Sequence, residues 1–432
     1  MKWKQKGVFI GISMTLLVIA GTLSGCLSTE DSTDNDDDMD NNISDWVGPY
    51  LDERNATIEG IEAVVRANNQ FGIDILKNLF NNENGNIFIS PYSIFTALSM
   101  TYEGAEGNTE KEMREVMYLP EDDTERLGSF ARVQNDMLKG SDQYELSTAN
   151  SIWPKKGLPL KDEFLSAIRD FYYGNVTELD YASDPEAARE VINSWVEGRT
   201  HDRIKDLIPQ GVLDALTYMV LTNAIYFKGE WVYEFNEDET ETSPFHTDSG
   251  DVDVDMMSLK VEEDDTLPYY ENEKLKAVEL PYKGDEVSMV LMLPRSGTMD
   301  DLVSDLDADL YQEVCSGLVE MEGTVKMPRF KLETKYELVP TMKDLGMEAP
   351  FGNADFSGMS DQGAPYISNI IHQTFIEVDE KGTEAAAATA VVIRELSAEG
   401  FYFAADQPFL FMIRQRETGN ILFSGVIEDP TA

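Results

Sequence analysis

The sequence has few of the residues that cross-link secreted proteins or bind metals. Only two cysteines occur, Cys26 and Cys315, so one disulfide is arithmetically possible but a disulfide framework is excluded. Only three histidines occur, His201, His246 and His372, and none has HExxH spacing or lies near a cysteine. We therefore predict no metal site and no cofactor.

Basic residues are also scarce. The chain carries 34 Lys and Arg against 81 Asp and Glu, a formal net charge of −47. Such an excess repels nucleic acid, heparin-like polyanions and anionic lipid head groups, so none of these is expected as a partner. The acidity is explained by solubility or by a salty medium that screens self-repulsion, with recognition of a basic partner as the alternative.

Catalytic motifs are missing. The chain contains no G-x-S-x-G, no G-x-G-x-x-G and no G-x-x-x-x-G-K-[ST]. A dispersed triad of a serine with His201 and Asp202 stays open as an alternative, because triads are assembled in space. Nothing else points to catalysis, and we predict that the protein is not an enzyme.

Long apolar runs are absent except at the N-terminus. Three lysines precede the run Val8–Ala20, and the small-residue stretch Gly21–Gly25 follows it, a pattern typical of an export signal and short for a spanning helix. The tetrapeptide Leu-Ser-Gly-Cys ending at Cys26 resembles a prokaryotic lipobox. We predict that residues 1–25 are the signal and that Cys26 is lipidated, with an uncleaved anchor as the alternative. Both place the protein on the extracellular face of the cell membrane.

An acidic stretch follows the predicted signal. Residues 30–45 hold eight acidic side chains and no basic one. Self-repulsion and a shortage of apolar surface predict that residues 26–60 form an acidic, largely disordered tether. A calcium site is the alternative, but Asp34–Asp40 lacks the central glycine and the terminal glutamate of an EF-hand loop.

The rest of the chain is globular in composition, and we assign residues 61–432 to one domain. Apolar residues recur at helical spacing in the first half, whereas short β-rich segments dominate the second half, which predicts an α+β fold. The helical candidates are Ile61–Leu79, Pro91–Tyr102, Asp162–Tyr172 and Pro185–Gly198. The strand candidates are Ala277–Leu280, Val287–Leu293, Gly323–Met327, Thr374–Val378, Phe409–Arg414 and Ile421–Ile427.

Residues 382–390 carry conflicting signals. Five alanines favour a helix, whereas Thr383, Thr389 and the following Val-Val-Ile favour a strand. Apart from Glu384, no side chain in this segment is large, so it could enter a closely spaced sheet without steric penalty. Composition alone favours an alanine-rich surface helix; the conflict is also typical of an element with two locations.

Seven motifs, in order and with family-like spacing, resemble those of the serpin family. The resemblance runs from about residue 61 to the end of the chain. The motifs are NIFISPYS at 86–93, TNAIYFKGEW at 222–231, Phe245-His246 through Met256-Met257, VKMPRF at 325–330, the segment from Glu380 to Ala390, DQPFLF at 406–411, and Gly419 to Gly425. The resemblance implies a single-domain α+β serpin fold with three β-sheets, about eight to nine helices and an exposed reactive-centre loop.

The resemblance also implies inhibition of serine, or else cysteine, proteases by a suicide-substrate mechanism. In serpins generally, a protease cleaves the exposed loop and forms an acyl-enzyme, after which the hinge of the loop inserts as a strand into the large sheet. The implied hinge contains no proline and mostly small residues, as inhibition requires. Its residues are Glu380, Gly382, Thr383, Glu384, Ala385, Ala386, Ala387 and Ala388. The alternatives are a non-inhibitory serpin acting as chaperone or carrier, and an anchored solute-binding lipoprotein.

The family's usual loop length places the cleaved bond at Leu396–Ser397, which suits chymotrypsin-, elastase- or subtilisin-like proteases. The loop up to Pro408 is one residue longer than a common family length, so other registers stay open. Arg394–Glu395 would suit a trypsin-like protease, and Glu395–Leu396 a glutamate-specific one.

Other residues match positions that control strand opening in the family. Ser90, Ser93, Asn223 and His372 match a hydrogen-bonded cluster called the shutter, beneath the parting strands. Trp231, Arg329 and Glu380 match the breach, where insertion starts. The stretch Asp122–Leu138 lacks the basic patch that binds heparin in some serpins. We therefore expect a monomer that forms a covalent complex with its protease and needs no heparin-like cofactor.

Overall fold

The computed structural model describes residues 50–138, 143–262, 265–384 and 400–432. They belong to one unit, Tyr50–Ala432. Residues 50–60, assigned to the tether from the sequence, are part of this unit: Leu51 is buried, and the Thr57 hydroxyl caps the first helix by accepting a hydrogen bond from the Gly60 amide. The export signal, the acidic stretch and Cys26 lie outside the described residues. No helix in the described ranges is long and apolar enough to cross a membrane.

Several helices begin at side-chain caps that the sequence displays. Ser90 accepts from the Ser93 amide ahead of Pro91, and Asp184 accepts from the Ala187 amide ahead of Pro185. The described part of the chain contains nine α-helices. They are α1 Ile58–Asn82, α2 Pro91–Tyr102, α3 Gly107–Val116, α4 Asp123–Leu138, α5 Asp162–Phe171, α6 Pro185–Arg199, α7 Met299–Asp305, α8 Ala308–Gly317 and α9 Val339–Asp344.

Most of the described strands lie in the second half of the chain. Their bounds are β1 Ile87–Ile89, β2 Tyr144–Pro154, β3 Asn175–Val176, β4 Met219–Glu230, β5 Glu241–Thr247, β6 Gly250–Val261, β7 Leu267–Glu271, β8 Leu275–Pro281, β9 Val287–Pro294, β10 Val319–Met321, β11 Gly323–Pro328, β12 Phe330–Glu337, β13 Asn369–Asp379, β14 Gly382–Thr383, β15 Phe401–Ala404, β16 Phe409–Gln415 and β17 Ile421–Ile427.

These strands form three sheets. One has six strands in the order β12-β13-β14-β4-β2-β3, a second has seven in the order β1-β17-β16-β9-β8-β7-β10, and the third has four in the order β15-β11-β6-β5. The predicted α+β class, with three sheets and eight to nine helices, is confirmed for the described residues.

The six-stranded sheet has apolar side chains on both faces. On one face, Phe227 and Ile376 join a cluster shared with the other sheets. On the other, Trp153, Val220 and Ile371 pack with α6 and with the connection that follows it, residues 200–218. Because both faces are covered, a strand added to this sheet must carry small side chains or displace part of the cover.

Candidate functional site

The two central strands of the six-stranded sheet, β4 and β13, part at one end. They run parallel and pair from Asn369 opposite Val220 to Thr374 opposite Ile225. Beyond this point β14 lies between them, antiparallel to both, so that Gly382 faces Asp379 and Glu230, and Thr383 faces Val378 and Gly229. Gly382 and Thr383 of the predicted hinge thus already form a short strand of the six-stranded sheet.

Gly382 is required by a close backbone approach. A Cβ atom at this position would lie 2.0 Å from the carbonyl oxygen of Gly229 on β4, closer than any real Cβ contact. The next side chain, Thr383, is 1% exposed and points into the protein, where its hydroxyl lies 2.8 Å from the Tyr282 hydroxyl. Small size is therefore a steric requirement at both positions.

Glu384 is the last hinge residue that the structure describes. Its amide donates to the Glu377 carbonyl of β13 at 2.9 Å, while its φ of +55° departs from strand geometry. Its buried carboxylate accepts a hydrogen bond from the Tyr226 hydroxyl at 2.6 Å and pairs with the Arg203 guanidinium at 3.1 Å. Neither Arg203 nor Tyr226 was singled out from the sequence.

Among the residues that the structure describes, no strand lies between β4 and β13 in the two rows that separate the hinge from the paired region, and we call this opening the gap. These rows are Phe227 with Ile376 and Tyr226 with Phe375, deduced from the shared register of the two strands. The outer strands β2 and β12 remain paired to β4 and β13 at this level. The gap is therefore confined to the space between β4 and β13 and does not extend to their outer neighbours. The predicted hinge residues Ala385, Ala386, Ala387 and Ala388, and the predicted bait residues Arg394, Glu395, Leu396 and Ser397, lie outside the described residues.

The predicted breach residues surround the open end. The Trp231 ring stacks on Tyr282 with centroids 4.3 Å apart, and its Nε1 donates to the Asp379 carbonyl at 3.1 Å. The Arg329 Nε lies 2.8 Å from both carboxylate oxygens of Glu380. Burial alone would raise the pKa of Glu380, but hydrogen bonds from Arg329 and Thr240 outweigh it and hold that pKa below its usual value. The carboxylate therefore stays charged.

A surface cavity of about 490 Å³ opens beside this ion pair. Its walls carry basic and acidic side chains in near-equal number, over an apolar floor of Phe330 and Val378. The ionic groups are largely satisfied by one another: Lys331 lies 3.6 Å from Glu377, and Lys381 lies 3.1 Å from a neighbouring glutamate. The cavity thus does not define the chemistry of a ligand.

Three of the four predicted shutter residues meet directly. The Nε2 atom of His372 accepts a hydrogen bond from the Ser90 amide at 3.0 Å, and its Nδ1 contacts the Asn223 side-chain oxygen. Since Nε2 accepts, the ring proton is assigned to Nδ1. Burial lowers the pKa of His372 to about 3, so the ring is neutral.

The fourth shutter residue joins through a partner that the sequence did not reveal. The Ser93 hydroxyl donates to the Asn150 side-chain oxygen at 2.8 Å, and the Ser93 amide donates to the Ser90 hydroxyl. Asn150, Asn223 and His372 form one row across β2, β4 and β13. The cluster therefore ties the N-terminus of α2 to the three strands at the level where β4 and β13 are still paired.

Potential metal and thiol chemistry is limited in the described part of the chain. No group of three or more His, Cys, Asp or Glu there could hold a metal ion. Cys315 is a free thiol against Tyr311, and burial raises its pKa to about 11, so it is a poor nucleophile at neutral pH.

The fold and the hinge define a class of protein. It has three sheets and a set of helices, and a short strand that begins with Gly382 lies between the two central strands of the six-stranded sheet at their open end. Known proteins share this fold. The family described as "Serpin (serine protease inhibitor)" matches residues 66–430, which is most of the chain. This chain belongs to the serpin family, and members of that family are generally protease inhibitors that form complexes with their target proteases.

Individual relatives agree. An uncharacterized serpin-like protein of Thermococcus kodakarensis is 41% identical over 85% of this chain and 86% of its own length. The leukocyte elastase inhibitor of Equus caballus is 36% identical over 86% of this chain and all of its own length. The crystal structure of Serpin48, a highly specific serpin of the insect Tenebrio molitor, superposes with a TM-score of 0.74 at 30% identity, over 86% of this chain and 98% of that one.

Proposed function

We propose that this protein inhibits serine proteases as a suicide substrate, with cysteine proteases as a second class of target. The observation that carries the proposal is the opening between β4 and β13. It already holds Gly382 and Thr383 and, as far as the described residues show, continues into two rows with no strand between them. A gap of this kind can accept a further strand at its open end.

The register of β14 predicts where the hinge would go. Extended without a shift, it sets Ala385 opposite Phe227 and Ile376, and Ala386 opposite Tyr226 and Phe375. Deeper insertion then has to separate the paired residues Thr374 and Ile225. It reaches the His372–Asn223 row with Thr389, so the shutter contact would break about halfway along the strand.

In the proposed reaction, the protease serine attacks the carbonyl carbon of Leu396. The Leu396–Ser397 amide bond breaks, Ser397 leaves as a free amine that takes up a proton, and an ester joins Leu396 to the protease. Insertion of the freed hinge then carries the ester-linked protease away and distorts its active site before water can hydrolyse the ester. The uninserted state must be kinetically trapped, because insertion gains a full ladder of backbone hydrogen bonds.

The choice of target rests on the predicted loop residues. Leu396 favours chymotrypsin-, elastase- or subtilisin-like proteases, and Arg394 a trypsin-like protease. The similarity to a leukocyte elastase inhibitor, whose name gives elastase as its target, supports the first group. A test panel should therefore contain all of these specificities.

The site of action is proposed from the N-terminal pattern. We propose that residues 1–25 direct export and that lipid on Cys26 tethers the inhibitor to the outer face of the membrane. Mass spectrometry of the N-terminal peptide from the native host tests this. A diacylglyceryl-modified Cys26 would support it, and an intact Met1 with an unmodified thiol would contradict it.

The central experiment incubates the protein in turn with subtilisin, chymotrypsin, elastase and trypsin, followed by denaturing gel electrophoresis and mass spectrometry. We expect an SDS-stable complex with at least one protease and a released peptide that begins at Ser397. A peptide that begins at Glu395 or Leu396 would change the register and the target class but keep the mechanism. Cleavage without a complex for every protease would contradict inhibition and favour a carrier or chaperone.

A further inference from the structure

A segment that crosses the outer face of the six-stranded sheet contacts the hinge directly. This segment, residues 200–207, follows α6, and we call it the strap. It packs on the sheet through Ile204 and Leu207, both fully buried. A strand that enters the sheet beneath the strap must pass under these contacts.

Polar contacts fasten the strap at three places across the sheet. His201 lies 2.7 Å from Glu145 on β2, Arg203 lies 3.1 Å from Glu384 of the hinge, and the Asp206 carbonyl accepts from Lys335 of β12 at 2.8 Å. Of these three contacts, the middle one joins the strap to the hinge, while the other two join it to β2 and β12, the strands that flank β4 and β13.

The middle contact spans the mouth of the gap. The Arg203 guanidinium lies over the Phe375 ring of β13, 6.0 Å from its centroid, and pairs with Glu384. Glu384 in turn accepts from the Tyr226 hydroxyl of β4. Tyr226 and Phe375 form the second of the two rows without a strand, so Arg203, Tyr226 and Glu384 together connect the two sides of the gap.

The backbone of Glu384 has the conformation that interrupts the hinge strand. Its φ of +55° is left-handed, a region that residues other than glycine and asparagine seldom occupy. For β14 to grow by one residue, Glu384 must change to an extended φ. Contacts that fix its carboxylate in the present position oppose that change.

We propose that Arg203 is a positioning residue. Together with Tyr226 it holds the backbone of Glu384 in the left-handed conformation, so that the hinge strand ends at Thr383 while the loop is intact. This inference rests on the proposed inhibitory function and adds a restraint on the timing of insertion. Cleavage frees the distal end of the loop, and the growing ladder of hydrogen bonds then outweighs a single ion pair. Loss of the restraint lets the intact loop insert, which inactivates the inhibitor.

The test compares Arg203→Met, Glu384→Gln and the double variant with the unaltered protein. Methionine keeps an apolar stem over Phe375, and glutamine keeps an acceptor for Tyr226, so each single change removes mainly the ion pair. After incubation below the unfolding temperature, the measured quantity is the half-life of the ability to form an SDS-stable complex. We expect each single variant to shorten it roughly fivefold, as for a partly exposed ion pair. The double variant should equal either single one, because both remove the same contact.

A matched control separates the hinge contact from fastening of the strap. Lys335→Met removes the attachment of the strap to β12 without touching the hinge, and we expect the half-life to stay within twofold of the unaltered protein. Equal shortening by Lys335→Met and Arg203→Met would overturn the proposal, as would no shortening by either. Circular dichroism verifies folding, and Arg203→Gln, which also removes the charge, replaces Arg203→Met if the latter does not fold.

A second readout is independent of inhibition. If the unaltered protein forms no complex with any protease, the proposed function fails, and the restraint is then judged by hydrogen–deuterium exchange alone. We expect amides of 219–230 and 369–379 to exchange faster in Arg203→Met but not in Lys335→Met. Unchanged exchange in Arg203→Met would overturn the restraint whatever the inhibition assay shows.

Discussion

The hydroxyl groups of Thr383 and Tyr282 lie 2.8 Å apart in a fully buried pocket under the open end of the six-stranded sheet. Aromatic rings form its walls: Tyr282 stacks on Trp231 and meets Phe227 edge-on at 4.9 Å. This is where the first inward-facing side chain of the hinge enters the core. Because the pocket is apolar apart from one hydroxyl, it distinguishes a small side chain from a charged one.

Thr383→Arg should convert the inhibitor into a substrate. A guanidinium in this pocket would be desolvated with no carboxylate to pair with, at a cost of several kcal/mol, so the hinge would stay out of the sheet. In the protease assay we expect complete loop cleavage and at least a tenfold loss of SDS-stable complex. Thr383→Ser keeps the hydroxyl and should inhibit normally. Undiminished complex formation by Thr383→Arg would show that this residue need not enter the pocket.

Gly382→Ala should destabilise the site by steric conflict. Its new Cβ would lie 2.0 Å from the Gly229 carbonyl oxygen, and β4 cannot yield without disturbing its pairing with β2. We expect a loss of about 1–3 kcal/mol in the free energy of unfolding, measured by urea denaturation. Gly198→Ala is the control, since a Cβ there meets nothing within 4 Å and alanine favours the helix α6. Equal losses at both positions would contradict the explanation.

Local sequence predicts the helix starts but not the contacts of Arg203. Pro91 with Ser90, and Pro185 with Asp184, start helices through contacts within three residues, so local sequence suffices to predict them. The hinge was found through its small residues and its family motif.

Contacts between distant parts of the chain were not predictable in the same way. Arg203 meets Glu384 only because the strap crosses the sheet, and Asn150 joins the shutter only through the register of β2 against β4. Neither residue carries a local signal, since a lone arginine or asparagine on a strap or strand is usually solvent-facing. The sequence also does not predict how many hinge residues lie in the sheet, because that number depends on how far β4 and β13 separate.

The ion pair at the breach should be worth little in stability. Glu380 is 3% exposed, but Arg329 is 42% exposed and screened by water. A double-mutant cycle with Arg329→Met and Glu380→Gln should give a coupling energy of about 1 kcal/mol in urea denaturation. The comparison pair is Lys331 on β12 and Glu377 on β13. These two side chains are 3.6 Å apart and both exposed, so their coupling energy should be near zero. A coupling above about 3 kcal/mol at the breach would mean that the pair is structural rather than a gate.

His372 should make the protein less stable as the pH falls. Burial lowers its pKa to about 3 in the folded protein, against about 6.5 in an unfolded chain. Between these pKa values the unfolded chain binds a proton that the folded protein does not. The contribution of His372 to the free energy of unfolding is therefore complete above pH 6.5, and the free energy of unfolding falls by about 1.4 kcal/mol per pH unit below it. When the pH is lowered from 7.5 to 5.5, the free energy of unfolding of His372→Gln, measured by urea denaturation, should fall by about 1.4 kcal/mol less than that of the unaltered protein.

A second histidine provides a control of opposite sign. The hydrogen bond with Asp251 raises the pKa of the exposed His246. Its stabilising contribution is therefore present below pH 6.5 and lost as the pH rises through the raised pKa. His246→Gln should make the fall in the free energy of unfolding between pH 7.5 and 5.5 steeper. A shallower fall for His246→Gln, or an unchanged one for His372→Gln, would contradict the assignment of the acid sensitivity to His372.

Salt should stabilise the protein, because its charge is so unbalanced. Beyond the three lysines and eight acidic residues of residues 1–45, the chain still carries 31 basic and 73 acidic side chains, so repulsion is built into the folded unit. Raising KCl from 0.1 to 1 M shortens the Debye length from about 10 Å to about 3 Å and screens this repulsion. Salt also weakens exposed ion pairs, but each of those contributes less than about 1 kcal/mol, and the carboxylates outnumber the cations more than twofold.

Repulsion should therefore dominate, and we expect the thermal unfolding midpoint to rise with KCl and to rise equally with NaCl. Equal effects would indicate screening, because site binding distinguishes the two cations. The buried pair of Arg414 and Glu279, 2.7 Å apart, is shielded from salt and should keep its contribution throughout. A midpoint that falls between 0.1 and 1 M KCl would mean that the ion pairs outweigh the excess negative charge, and that the acidity serves recognition of a basic partner instead.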